Sequence, residues 1–330
     1  MKNNFWQNKK ILITGIHGFV GSNLCKKMLK NKAIVYGLHK FNSETSLLKI
    51  EKIKGYNSVQ IIDNIKSKSL ILDLFIDKEI EVCFHLAAQV EINKAIEEPY
   101  YTFDNNVNLT LHLLEASRIS KKLKCFIMSS TDKVYGDIAK NLLPYKEKYL
   151  SKPKYPYEVS KYICELMSKC YFENYNLPVI TTRTCNLYGP GQMNFSAIIP
   201  YTIECLLKKE KFIARSDGSM LRDYLFIDDW IQSLESIVTE SYKNKKLFGN
   251  LYNFGTNKPY STKEIVHMLC NLIDPKKINE INKSFKKIKN NNEILYQSMD
   301  IKKSKKYFYN QKTNIKNALN KTINWYKNNL

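Results

Sequence analysis

Short apolar runs alternate with longer stretches of helical periodicity through the first half of the chain. Ile11-Leu12-Ile13, Ala33-Ile34-Val35-Tyr36, Val59-Gln60-Ile61-Ile62, Val82-Cys83-Phe84-His85-Leu86, Cys125-Phe126-Ile127-Met128 and Val179-Ile180-Thr181-Thr182 read as strands. Segments near 19–31, 103–121 and 157–175 fit as helices between them. Strand, helix and strand in succession predict a parallel sheet with right-handed crossovers, hence an α/β fold whose sheet is doubly wound.

The alternation lapses after Gly189-Pro190-Gly191. Strand-like runs at Phe212-Ile213-Ala214, Tyr224-Leu225-Phe226-Ile227 and Leu251-Tyr252-Asn253-Phe254 mix with helical patterns near 197–209, 228–240, 261–272 and 313–327. A smaller α+β C-terminal lobe, stitched into the first unit, is therefore expected. Residues 1–188 plus about 224–256 would form the sheet domain, and about 189–223 with 257–330 the lobe. The Lys- and Asn-rich run from Lys276 to Asn292 reads as solvated loop and helix surface.

A chain of 330 residues can bury a large core. No stretch approaches the ~20 apolar residues of a spanning helix. Met1-Lys2-Asn3-Asn4-Phe5-Trp6-Gln7 runs into the first strand with no apolar leader, so a cytoplasmic protein is expected. Eight cysteines (25, 83, 125, 164, 170, 185, 205 and 270) include no C-x-x-C pair, which predicts reduced, mostly buried thiols and no metal site. The net charge of +21 raises nucleic-acid binding, yet only four of the 52 basic residues are arginine, in a chain also rich in Asn and Ile. That is compositional drift towards lysine, with the charges spread over surface helices. Neither nucleic acid nor membrane is expected as a partner, although a positive field attracts an anionic substrate. Lysine cannot supply the planar fork of a guanidinium, so Arg183, Arg215 and Arg222 mark positions where a fork matters. Arg118, beside Lys121 and Lys122 in a helical segment, is the exception.

Gly15-Ile16-His17-Gly18-Phe19-Val20-Gly21 follows the first strand and opens a helix, the context of a dinucleotide fingerprint with G-x-x-G-x-x-G spacing. Such glycines make a tight turn and bring backbone N–H groups at a helix N-terminus up to a pyrophosphate. The fold is then a Rossmann doubly wound parallel sheet with NAD or NADP as cofactor. The second strand ends in Gly37-Leu38-His39-Lys40, with no carboxylate to select a free ribose 2′-hydroxyl, so the choice between the two stays open. Asp63, after the third strand, is a candidate for the adenine amino group.

Tyr157 and Lys161 stand one helical turn apart on one face, in the helix following the fifth strand. A cation near a phenol favours the phenolate, so this pair suits proton removal from a carbinol. Ser129-Ser130-Thr131 ends that fifth strand, and Asp132-Lys133 follows at once. Once a carbinol carbon has become a ketone the proton on the neighbouring carbon is acidic; a neutral Lys133 could remove it while a protonated Asp132 donates to a hydroxyl departing from the next carbon.

The Gly15/Gly18/Gly21 cradle, His85-Leu86-Ala87-Ala88-Gln89, Asn106-Val107, Thr131-Asp132-Lys133-Val134-Tyr135-Gly136, Tyr157/Lys161, Arg183-Thr184-Cys185-Asn186-Leu187-Tyr188-Gly189-Pro190-Gly191 and Arg222-Asp223-Tyr224 together resemble the extended short-chain dehydrogenase/reductases that act on nucleotide sugars. Phe5-Trp6-Gln7, Asn194-Phe195-Ser196-Ala197-Ile198-Ile199-Pro200 and Arg215-Ser216-Asp217-Gly218 look closest to CDP-glucose 4,6-dehydratases, which share the Asp-Lys dipeptide where most sugar 4,6-dehydratases have Asp-Glu. The resemblance implies a cofactor, tightly held and recycled, lined by Gly15, His17, Gly18, Phe19, Val20, Gly21, His39, Asp63, Asn64, Leu86, Ala87, Ala88, Gln89, Asn106, Tyr157 and Lys161. It implies that Thr131 bonds the sugar 4-hydroxyl, Tyr157 takes its proton and Lys161 holds the nicotinamide ribose. A nucleotide-diphosphate sugar would meet Gln89, Asn186, Asn194, Ile199, Arg215 and Arg222. A homodimer through the helices near 103–121 and 157–175, and a place in deoxysugar synthesis, are implied as well. Two departures stand out: Phe19-Val20 where the cytidine-type cradle has Lys and Trp, and Leu109 where glycine is usual. A 4-epimerase or reductase needs only Thr131, Tyr157 and Lys161, so Asp132 discriminates; a non-catalytic nucleotide- or RNA-binding protein is the remaining alternative.

Overall fold

The computed structural model describes residues 4–39, 46–62, 67–286, 294–309 and 312–330. Seven parallel strands form its main sheet: β1 (Lys10–Thr14), β2 (Ile34–Leu38), β3 (Gln60–Ile62), β4 (Val82–His85), β5 (Cys125–Thr131), β6 (Val179–Thr184) and, further on, β10 (Leu251–Phe254). Their order is β10-β6-β5-β4-β1-β2-β3. Successive side chains along each strand point to opposite faces. Ile11, Ile13, Phe84, Ile127 and Ile180 join one buried cluster, while Leu12, Cys83, Phe126, Met128 and Val179 join a second. Helices Phe19–Lys30 and Ile227–Lys243 cover the first face with Leu24, Met28, Trp230 and Leu234; Lys68–Asp77, Leu109–Ser120 and Pro156–Tyr175 cover the other.

The strand order reverses between β1 and β4. Ligands of open α/β sheets bind in the crevice beyond the carboxyl ends of the strands at such a switch point. Thr14-Gly15, His85-Leu86 and Thr131-Asp132 all end their strands there.

Beyond β6 the chain makes two small ladders. β7 (Asn186–Tyr188) pairs in parallel with β9 (Tyr224–Phe226), and β8 (Leu221–Arg222) pairs antiparallel with β11 (Tyr260–Ser261). Helices Ile198–Lys208, Thr262–Ile273, Ile278–Ser284 and Ile315–Asn329 complete this part. Ser261 and Glu264 form a reciprocal capping box that starts Thr262–Ile273.

Leu251–Phe254, within the 224–256 stretch assigned by sequence to the sheet domain, pairs with β6 as the seventh strand of the main sheet. Two expectations are corrected. Phe212-Ile213-Ala214 forms no ladder: Phe212 is a plug between the Tyr201 and Phe285 rings at 5.4 and 6.0 Å, and Ile213 is exposed. The helix expected near 103–121 is also interrupted, with a π turn at Asp104–Asn108 between Pro99–Phe103 and Leu109–Ser120. Seven of the eight thiols are buried and Cys170 is exposed; none is paired. Among the described residues, no helix is long and apolar enough to cross a membrane.

Candidate active site

The cradle is built by backbone. Gly15 has φ +67°, and a Cβ on it would lie 3.0 Å from the Ala87 Cα; a Cβ on Gly21 would lie 2.2 Å from the Gly15 carbonyl oxygen. These glycines let β1, the Leu86–Gln89 loop and helix Phe19–Lys30 close on one another. Gly18 is the N-cap of that helix, whose first turn carries no acidic residue, so its N–H groups and dipole are left to an anion. The cradle therefore fits a pyrophosphate. Phe19 and Val20, in that first turn, are half-buried. His17 Nε2 lies 2.6 Å from the Tyr56 hydroxyl, and its ring stands edge-on to buried His39 at 4.5 Å. Lys40, Asp63 and Asn64 lie outside the described residues.

A buried chain of hydrogen bonds, not foreseen from sequence, joins the cradle to the helix Pro156–Tyr175. Thr14 Oγ1 accepts from the Leu86 and Ala87 N–H groups, both at 3.0 Å, so its own proton goes to His85 Nδ1 at 2.9 Å. His85 Nε2–H then donates to Thr110 Oγ1 at 2.8 Å, and Thr110 donates to the Asn106 carbonyl at 2.6 Å. Burial, then the nearby Lys161 charge, holds His85 well below its ordinary pKa, so the neutral tautomer is the stable one. The Asn106 side chain is fully used. Its Oδ1 accepts from the Gln89 N–H at 2.7 Å, and its Nδ2 donates to Gln89 O at 3.2 Å and Ser160 Oγ at 2.9 Å. Asn106 thus places the Gln89 loop and the helix bearing Tyr157 relative to each other.

That helix starts at Pro156, with Glu158 accepting from the Lys154 and Tyr155 N–H groups at 2.8 and 3.2 Å. The first turn so fixed carries Tyr157, and Lys161 follows on the same buried face. Burial raises the Tyr157 phenol above its ordinary pKa, opposed by a hydrogen bond with Thr131; burial also lowers Lys161, opposed by Cys164 and Glu165. The sequence reading had Lys161 depressing the tyrosine. In the fold the dominant influence on both groups is loss of water, which favours their neutral forms.

Thr131 ends β5 and caps a single 3₁₀ turn, Asp132–Tyr135, by accepting from the Lys133 N–H at 3.3 Å. Its hydroxyl donates to Asp132 Oδ1 at 3.2 Å. Asp132 is 1% exposed, and its Oδ2 has no hydrogen-bond partner among the described residues. Burial raises its carboxyl above the ordinary range against the pull of Lys133 and Arg222. Lys133 is half-buried. Thr131, Asp132, Lys133 and Tyr157 thus converge, with the Arg222 charge reaching the same carboxyl.

Arg222, on β8, donates to the carbonyls of Leu221 and Leu295 at 3.0 and 3.3 Å. The neighbouring Asp223 is buried and accepts from the N–H groups of Thr256, Asn257 and Met299, which ties β9 to β10 and the later chain. Asn186 lies on β7 and donates to Asp223 O at 3.4 Å. Arg215 donates to Ser196 O at 2.8 Å, next to Asn194, whose Oδ1 accepts from the Ser196 N–H at 2.9 Å. Ile199 is buried in the core, so its side chain does not line the crevice. Arg118 forms a two-bond surface pair with Glu115.

A family model described as GDP-mannose 4,6 dehydratase matches residues 12–324. The chain belongs to this family of NAD-dependent nucleotide-sugar epimerases and dehydratases. It is 30% identical over 329 residues to a trifunctional UDP-glucose 4,6-dehydratase/3,5-epimerase/reductase of Arabidopsis thaliana, covering 97% of this chain and 47% of the plant protein. It is 33% identical over 281 residues to the dTDP-D-glucose 4,6-dehydratase of Dictyostelium discoideum, covering 80% of this chain and 62% of the relative. The chain thus spans roughly half to two thirds of the length of these relatives. Among solved structures, a Bacillus cereus UDP-glucuronic acid 4-epimerase in complex with NAD shares 26% identity and a TM-score of 0.81 over 97% of this chain and 99% of that one. A Bacillus anthracis dTDP-glucose 4,6-dehydratase in complex with NAD has the same fold, with a TM-score of 0.83 at 24% identity and 97% coverage of each chain. Dehydratases and epimerases of the family therefore share this architecture.

Proposed function

We propose that this member is an NDP-hexose 4,6-dehydratase. The reading rests on Asp132, a carboxyl buried directly after Thr131, with one oxygen lacking a hydrogen-bond partner among the described residues and its pKa raised by burial. A neutral carboxylic acid is what a departing hydroxyl needs, and 4-epimerisation has no use for it. When bound, NAD(P) supplies the hydride acceptor and donor and a positively charged ring that favours the phenolate of a neighbouring tyrosine. Gly15, Gly18 and Gly21 would hold its pyrophosphate, and Lys161 its nicotinamide ribose.

Thr131 orients the sugar 4-hydroxyl and Tyr157 takes its proton as C4 becomes a ketone. Lys133 removes the proton from C5, and Asp132 gives its proton to the C6 hydroxyl, which leaves as water. Hydride returned by the bound cofactor to C6, with a proton at C5, would then give a 4-keto-6-deoxy sugar with no net use of cofactor. Arg222 and Asn186 would bind the diphosphate. The Asp132-Lys133 dipeptide favours a CDP-sugar, whereas the named dehydratase relatives act on UDP- and dTDP-glucose. We also propose a homodimer through the helical segments 99–120 and 156–175, which expose Tyr100, Leu111 and Leu166.

The test is incubation with CDP-, dTDP-, UDP- and GDP-hexoses followed by mass spectrometry. Loss of one water from one member of the panel is expected and also settles the base. An isomer of unchanged mass would replace this reading with that of a 4-epimerase, as half-exposed Lys133 would allow.

A further inference from the structure

We infer that the Arg183–Glu165 pair is a positioning device that holds the helix of Tyr157 in register with the turn of Asp132, so that oxidation and water loss act on one sugar pose. The inference rests on the dehydratase reading above. Arg183 sits on β6 opposite Ser130 of β5, one position before the Thr131–Thr184 pair. Its Nε donates to Glu165 Oε1 at 2.9 Å and its Nη2 to Oε2 at 2.6 Å, with a further bond from Nη2 to Ser151 Oγ at 2.7 Å. Both side chains are nearly water-free, at 3% and 8% exposure.

Glu165 continues the stripe of Tyr157 and Lys161 at four-residue spacing, about 12 Å along the helix from the tyrosine. A two-bond fork at that point fixes both the height and the rotation of the helix over the sheet. The same guanidinium reaches the other element. Its carbon lies 4.3 Å from the centre of the Tyr135 ring, and Tyr135 belongs to the 3₁₀ turn that begins with Asp132. Tyr135 is itself immobilised, stacked on Tyr145 at 4.6 Å and donating to Asn253 Oδ1 at 2.7 Å. One cation therefore touches both the element that carries the base and the element that carries the acid.

A buried ion pair is an expensive way to gain stability, since well-packed apolar residues of similar size often serve as well or better. Its retention here, in a chain with only four arginines, points to geometry. A lysine would keep the charge and lose the fork.

The experiment compares wild type with Arg183→Lys, Glu165→Gln and the apolar double variant Arg183→Met/Glu165→Leu, using the NDP-hexose that the wild type dehydrates. Borodeuteride trapping and mass spectrometry separate the 4-keto-hexose that has kept its water from the 4-keto-6-deoxy product. Misregister of about 1 Å should raise the untransformed ketone about tenfold relative to the dehydrated product, with KM changed less than about twofold, even where the double variant melts like wild type. A wild-type product ratio in folded variants, with activity falling only in proportion to folded protein, overturns the inference. Should the double variant not fold, Arg183→Lys decides by the same ratio. Should the wild type release only an isomer, the dehydratase reading fails separately. The same variants then decide by the ratio of released ketone to epimer, an unchanged ratio again overturning the inference.

Discussion

The helix of Tyr157 and Lys161 and the turn of Asp132 and Lys133 meet at Thr131 but are held very differently. The helix runs for 20 residues, is capped by Glu158, tied to Asn106 through Ser160 and clamped by Arg183 at Glu165. The turn is four residues long, its acid lacks one partner and its lysine is half-buried. In the proposed reaction, proton removal from the carbinol would stand on the rigid element and loss of water on the short one. Under that proposal, two residues at the end of one strand would change the reaction while the sheet, the cradle and the helix stay as they are.

The widest separation between the two elements comes from Tyr157→Phe. Removing the proton acceptor should cut 4-keto formation about 1000-fold, and water loss with it, because the second step needs the ketone; trapped ketone measures both. A variant that still oxidises C4 would place the base on the turn. Asp132→Asn should lower water loss about 100-fold and leave a measurable 4-keto-hexose, read by mass. If elimination persists, the turn does not supply the acid. Arg222→Lys tests the lobe that faces the turn: loss of the planar fork should raise KM for the sugar nucleotide about tenfold with kcat nearly unchanged, by steady-state kinetics.

The smallest expected effect concerns stability. The carboxyl of Asp132 is raised in the folded state, so between its unfolded and folded values the native protein binds the extra proton and stability falls as pH rises. Asp132→Asn should therefore melt a few degrees above wild type at neutral pH, and the gain should vanish in acid. Melting curves across that range check the sign. On the helix, Lys161 has the opposite sign: burial lowers its value, so between its folded and unfolded values stability rises with pH.

Six strands of the main sheet were legible in the sequence because each is a short apolar run between turn signals, and both faces of the sheet are buried. The seventh, Leu251–Phe254, was visible as a strand of the sheet domain but not its pairing, since its partner β6 lies some seventy residues earlier. The placing of Thr131 at the end of β5, and of Tyr157 and Lys161 on one face of the following helix, was legible from residue type and spacing. What stayed hidden depends on contacts between distant segments. That the Asn106 side chain is shared between Gln89 and Ser160 could not be read from the sequence. No local pattern pairs Glu165 with Arg183, which closes on it in the fold. The turn of Asp132 is held by equally distant contacts, with Tyr135 stacked on Tyr145 and donating to Asn253 Oδ1.

The π turn at Asp104–Asn108 amounts to one residue more than a regular helix would hold. Deleting one residue there would rotate everything before it by about 100° relative to the Leu113-Leu114 stripe that anchors Leu109–Ser120 in the core. Asn106 would swing away from Ser160 while the buried stripe stayed in place. The helix thus carries, in a single inserted residue, a phase offset between the part that packs and the part that aims.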